Sequence, residues 1–455
     1  MSALDVATRA LAFASSASDE SDVFVHAERS GLARFAASEQ HQPTLVDDVV
    51  VTVRAIRDGG VGVAVTNRTS DEGLREVAAR ATDAAAHARA DPDFPGLTSP
   101  ADLAAVDGYD ERTAELGPDE LARFAADAIA ATGDTPAYGF FTSGVTELAI
   151  ASSAGLEASQ RLTDSTVLVL ASTDGRSGFA TQTASAVDAI EPRACASEAT
   201  EKAARTHCAV ELEPGSYRAV LEPYAIAELL QYFAWDSLNG LGLIEERSYL
   251  TGRIGEDVFD EKVTLLDDAH DPRGLPKSFD FEGVAKERVT LVEDGVARGV
   301  VWDRRTARRA GGDVRSTGHA PPLAMQAYGP QPLALSLAAG AAESVDDLVA
   351  AVDDGIYVTR LHYLGIVHPR EGVLTGMTRD GTFRIRDGKV AEPLVNLRFT
   401  VAFADVLADV PALTRDAALV NQSDFYGERY PFGVLAPAIA TARFNITGNG
   451  SAPGI

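Results

Sequence analysis

The chain has 455 residues, more than one ordinary domain, and its 45% apolar content is ample for large buried cores. Against 40 basic residues stand 67 acidic ones, a formal charge of -27. That balance argues against nucleic acid, whose phosphates need Lys and Arg to neutralise them, and against anionic membrane surfaces. The acidic excess reads as a solubilising coat; a basic partner or a cationic peptide substrate is the sharper alternative.

Ser2 caps a first helix in which Leu4, Ala7 and Leu11 recur at helical spacing. Strand material begins at Val23-Phe24-Val25. The apolar runs 49–56 and 61–65 flank Asp58-Gly59-Gly60, a hairpin signal whose turn residues tolerate positive φ. Ser70 caps a second helix running to about Ala90, residues 91–100 form a Pro-containing loop, and Pro118 opens a third helix ending near Ala131. Strands are predicted at 147–152 and 165–171 around a tight turn at 153–157, followed by a helix over about 192–207.

The turn at Pro214-Gly215-Ser216 divides the chain into an N-terminal α+β domain (1–212) and a β-rich C-terminal domain (213–455). Beyond it come a helix opened by Pro223 and short strands with Asp-Gly turns at 294–295, 380–381 and 387–388. A further helix runs from Ser344 to about Asp354. The expected fold class is α+β: N-terminal helices packed on an antiparallel sheet, then a strand-rich, antiparallel or barrel-like half.

Cys195 and Cys208 lie thirteen positions apart with no CxxC or Cys/His ligand pattern, so no disulfide framework is implied. The first residues lack the basic stretch and apolar run of a signal peptide, and no run of about 18 apolar residues occurs. The expectation is a cytoplasmic chain without membrane contact. A G-x-S-x-G nucleophile elbow is absent, and Asn239-Gly240-Leu241-Gly242-Leu243 lacks the third glycine of a dinucleotide loop.

Several separated stretches carry a resemblance. They are Ala151-Ser152-Ser153-Ala154-Gly155-Leu156-Glu157, Glu213-Pro214-Gly215-Ser216-Tyr217 leading to Pro223, and Arg247-Ser248-Tyr249-Leu250-Thr251-Gly252-Arg253-Ile254-Gly255-Glu256. Two more are Phe279-Asp280-Phe281-Glu282-Gly283-Val284 and Ser316-Thr317-Gly318-His319-Ala320. In this order the chain resembles the TldD/PmbA family of peptidases over almost its whole length. The resemblance implies that the helix after Pro223 corresponds to one carrying a His-Glu-x-x-x-His zinc motif in the catalytic branch. Here only Glu228 stands, with Ala227 and Tyr232 in the two histidine places. A late cysteine ligand of that branch has no counterpart near residues 423–427. The chain therefore looks like the PmbA/TldE side, and no metal and no cofactor are expected.

The resemblance implies a peptidase built from one metal-bearing and one metal-free subunit, with an extended peptide in the cleft between them. Strand addition at a sheet edge would give such a peptide sequence-tolerant affinity. The expected role is the metal-free partner of a TldD-like subunit in a heterodimer. The alternatives are a metal-independent homodimeric hydrolase of amide bonds in a small peptide or conjugate, and a peptide-binding protein without turnover.

Glu228 and His319 are the candidate catalytic residues, with a helix glutamate in an ordinary structural pairing as the plainer reading of the first. Without an ion, water keeps its high pKa and a lone carboxylate is a feeble catalyst. Tyr232, Arg253, Arg360, His362, Tyr363, Thr378 and Arg379 are candidate substrate-binding residues; an arginine among them can grip a carboxylate bidentately. The polar residues of 360–381 equally fit a hairpin with satisfied surface charges. No two of the eight histidines have His-x-His or His-x-x-x-His spacing. His362 and His368 in one straight strand would stand about 20 Å apart, too far to share an ion unless the chain bends at Gly365.

Overall fold

The structure is a computed structural model that describes residues 2–422, 427 and 429–453. Six strands form the first sheet: β1 (Glu20–Ala36), β2 (Glu39–Arg57), β3 (Gly60–Thr66), β4 (Ala137–Ser152), β5 (Glu157–Thr173) and β6 (Arg176–Ala184). All neighbours are antiparallel, in the order β3-β2-β1-β4-β5-β6.

Helices cover one face of this sheet. Helix α1 (Ala3–Ser15) starts at Ser2, whose hydroxyl accepts the Asp5 amide while the Asp5 carboxylate accepts the Ser2 amide. Helix α2 (Asp71–His87) is capped by Ser70. Both lay alanine and valine on the apolar side of β1 and β2, around Val23, Val25, Val51 and Val53. The short α3 (Glu111–Ala114), α4 (Pro118–Ala131) and α5 (Pro192–Arg205) follow. Phe35, Phe141, Val167 and Val169 pack under α4 and α5. Gly178 lets α5 approach closely: a Cβ there would lie 2.1 Å from the Ala199 carbonyl oxygen.

Among the described residues the second sheet has eleven strands. In chain order they are β7 (Gly215–Leu221), β8 (Leu265–Asp267), β9 (Val289–Glu293), β10 (Val296–Ala297) and β11 (Leu335–Leu337). Then come β12 (Gly355–His368), β13 (Val373–Arg386), β14 (Lys389–Leu394), β15 (Leu397–Ala402), β16 (Leu413–Asn421) and β17 (Gly433–Asn449). The sheet is mainly antiparallel, with parallel pairings of β7 with β12 and of β11 with β17. Strand β17 pairs with both β15 and β7, so the path β17-β15-β13-β12-β7 returns to its start. Helix α6 (Pro223–Ser237) lies buried within this half, against β12 and β17. Among the described residues no helix is long and apolar enough to cross a membrane.

The protein is thus α+β, as expected, but several elements differ from the sequence reading. Strands β1, β2, β4 and β5 extend well beyond their predicted cores, and β6 went unrecognised. The first ten residues of β2 are mostly exposed on both faces, so no apolar alternation marks them. Asp380-Gly381, expected as a turn, lies inside β13. Thr359 of β12 stands opposite both residues in a β-bulge, with Asp380 at φ 56° and Gly381 at φ 129°.

Candidate functional site

Helix α6 is apolar on nearly every side, as a helix within a core must be. Ala225, Ile226, Ala227, Leu229, Leu230, Phe233 and Ala234 are all buried in one cluster. Its polar stripe is narrow: Tyr224, Glu228 and Tyr232 follow at four-residue spacing and share a face. Tyr224 and Glu228 open onto a cavity of about 340 Å³ between the two sheets. Strands β5 and β6 contribute Thr166, Leu168, Phe179 and Thr181; β12 contributes Arg360, Leu361 and His362; and β16 contributes Asn421.

Glu228 is the electrostatic centre of this cavity. Burial pushes its carboxyl up to about 7, against the opposing pull of the Arg360 charge and the Leu361 backbone amide. Arg360 lies over the Phe179 ring at 4.2 Å and donates Nε to Asp380 Oδ2 at 2.7 Å, with Nη2 on the same carboxylate. The bulge places Asp380 there. His362 is held below its ordinary pKa by burial and by Arg379 and Arg360.

The remaining sequence candidates are distributed around this centre. Tyr232 packs on Trp235 at 4.8 Å; burial and the nearby Glu228 charge raise its phenol pKa. Tyr363 is 76% exposed, at φ 53° in a second bulge where it and Leu364 oppose Gly376, and its ring meets His362 at 4.0 Å. This irregularity lies just before Gly365, where the sequence allowed a bend. Arg379 flanks Asp380 with Nε at 3.8 Å.

Like Tyr232, Tyr363 and Arg379, three further candidates do not line the cavity. Thr378 is fully buried, and its hydroxyl accepts from Thr382 Oγ1 at 2.8 Å and from the Leu397 amide at 2.9 Å. Arg253 stacks on Tyr249 and donates to that residue's carbonyl. His319 is sealed in the interior, with Nε2 2.8 Å from Asp267 and Nδ1 2.9 Å from Thr317 Oγ1. Burial and the Lys286 charge lower its pKa. Burial alone would raise Asp267, but Lys286 and His319 hold it well below the usual carboxylate range.

Tyr224 and the β5–β6 wall escaped sequence reading. Thr166, Leu168, Phe179 and Thr181 look like ordinary strand residues until a second sheet faces them. The recoverable signal was the spacing of Tyr224 and Glu228, one helical turn apart.

The donor set does not fit a zinc ion. Ala227 offers no donor atom and is wholly buried, and Tyr232 presents a phenol whose pKa is raised further. Among the described residues no group of three or more His, Cys, Asp and Glu is placed to hold a metal. The stretch 423–426, where the resemblance places a cysteine ligand, lies outside the described residues. Neither cysteine replaces it: Cys195 is buried with its thiol pushed up to about 12, and Cys208 is exposed.

Comparison with known proteins agrees with this architecture. Models of the PmbA/TldA metallopeptidase match in three parts: domain 1 at residues 21–85, the central domain at 111–206 and the C-terminal domain at 214–448. A metalloprotease of Methanothermobacter thermautotrophicus is 28% identical over 249 residues, covering 52% of each chain. A metalloprotease TldD homolog of Haemophilus influenzae is 27% identical, over 56% of this chain and 52% of its own. The matched regions span about half the length of these two relatives, and a quarter of an uncharacterized Methanocaldococcus jannaschii protein that is 37% identical over 102 residues. The crystal structure of TldE from Thermococcus kodakarensis superposes with a TM-score of 0.86 at 20% identity, covering 96% of this chain and 99% of that one. The chain belongs to the PmbA/TldA metallopeptidase family, also called TldD/PmbA.

Proposed function

We propose that this chain is the metal-free subunit of a TldD/TldE-type peptidase in the cytoplasm, forming part of the cleft that holds an extended peptide for a metal-bearing partner. The observation that carries this reading is the motif helix itself. It keeps Glu228 at a cavity but places Ala227 and Tyr232 where the zinc ligands of the catalytic branch would stand. The likeness in fold to TldE supports it. An exposed Tyr363 beside His362 and Arg379 supplies a surface for a peptide or a partner.

The test is reconstitution. Mixing the chain with a relative that retains both histidines is expected to shift the assembly state and raise the peptidase rate. Unchanged sedimentation and unchanged rate on mixing would end the proposal.

One observation favours a second reading, a homodimeric metal-independent amide hydrolase. A carboxyl near 7 is poised as a general base at neutral pH. That reading requires chelator-resistant turnover by the isolated chain, abolished in Glu228→Gln.

A further inference from the structure

The cavity between α6 and β12 is lined by groups of opposite sign, Glu228 and Arg360, that form no ion pair with each other. Arg360 directs Nε and Nη2 to Asp380, while Nη1 meets no acceptor among the described residues. Glu228 lines the same space yet forms no ion pair with Arg360 or any other described residue. A carboxylate and a guanidinium that share one enclosure without touching leave room for a bridging group with charges of both signs.

Size and lining narrow the class. At about 340 Å³ the cavity lies at the small end of ligand pockets, which run from roughly 300 to 1,000 Å³. Leu168, Phe179 and Leu361 make its walls apolar between the charged ends, and the Thr166 and Thr181 hydroxyls are engaged within the protein, with Thr183 and Asn421 and with the Val167 carbonyl. Its volume accommodates one or two residues.

We propose that this cavity is a binding site for a free amino acid or dipeptide with an apolar side chain, its carboxylate on Arg360 and its ammonium on Glu228. All the groups belong to this chain, so the site rests only on the cavity's geometry and stands without a partner subunit. In the proposed peptidase assembly it would hold a small product or a short substrate.

The protonation of Glu228 tunes the site. The charged and titratable groups around it are Arg360 and His362 from β12 and Tyr224 and Tyr232 from its own helix, with Asp380 of β13 behind Arg360. A bound ammonium favours the carboxylate, so binding strengthens between pH 6 and pH 8 and releases a proton.

Calorimetry on the isolated chain tests this with four probes: L-leucine, L-leucyl-L-leucine, N-acetyl-L-leucine and L-leucinamide. The expected result is saturable binding of leucine or the dipeptide, at least about tenfold tighter than either blocked compound, or about 1.4 kcal/mol. Glu228→Gln is expected to remove that advantage over N-acetyl-L-leucine while leaving the fold intact. Absence of saturation by both zwitterions up to roughly 10 mM, well above the 1 mM that corresponds to about 4 kcal/mol, overturns the proposal. Equal binding of the blocked compounds also overturns it. Because no partner is present, this outcome is separate from the reconstitution test of the peptidase role.

Discussion

Arg360 and Asp380 meet across a β-bulge, the guanidinium donating Nε to a carboxylate that is only 3% exposed. The extra residue in β13 turns Asp380 inward beneath the arginine, and the arginine in turn reaches the Glu228 cavity. Geometry of the backbone therefore sets the electrostatics of the site.

Removing Asp380 leaves Arg360 half-desolvated without its anion. Breaking a buried pair from one side costs about 3–5 kcal/mol. Asp380→Ala should lower unfolding stability by roughly 3 kcal/mol in urea titration. A loss below about 0.5 kcal/mol would show that the pair is solvated like a surface bridge.

Glu228 makes stability depend on pH. Its folded pKa, about 7, lies above the ordinary carboxylate value, so the folded state holds the proton more tightly. The associated stability is complete below pH 4 and is lost as pH rises through 7. Glu228→Gln should match the parent near pH 4 and exceed it at pH 8, by up to about 3 kcal/mol. Urea midpoints measured across that range check the difference curve, which cancels other titrating groups.

Lys202 of α5 joins the two halves. Its Nζ donates to Glu198 at 2.6 Å and to the buried Glu222 at 2.7 Å, while Tyr357 and Thr359 also donate to Glu222. Lys202→Met should cost about 3–5 kcal/mol, because the buried Glu222, whose carboxyl is already pushed up by burial, loses the cation that opposes its desolvation. Adding Glu222→Gln should recover part of that loss. Additive costs in the double-mutant cycle would rule out coupling between the pair.

Tyr363 holds a positive φ that a bulky side chain adopts only under strain. Being largely exposed, it returns little burial for that strain. Tyr363→Gly should stabilise the isolated chain by about 1 kcal/mol, read from thermal unfolding. On the proposed assembly reading, the same variant should bind a metal-bearing relative more weakly. Destabilisation on substitution would show that the ring, despite its exposure, packs productively.

Local signals in the chain already determined much of the molecule. Ser2 and Ser70 mark helix starts because their hydroxyls satisfy backbone amides that a helix leaves open. Asp58-Gly59-Gly60 marks a hairpin because few residues accept its dihedrals. That Ala227 and Tyr232 are not ordinary zinc ligands is plain from residue type alone. These features depend on near neighbours, so the amino-acid order suffices to write them. The tertiary structure alone decided which polar groups share a cavity. Glu228, Arg360 and Thr181 converge from different elements of two sheets, whereas His319 turns inward to Asp267. It also turned Asp380-Gly381 from an expected hairpin turn into a bulge, since pairing with β12 continues on both sides. Burial, charge proximity and register are long-range quantities, set by where distant segments pack, and no local pattern encodes them.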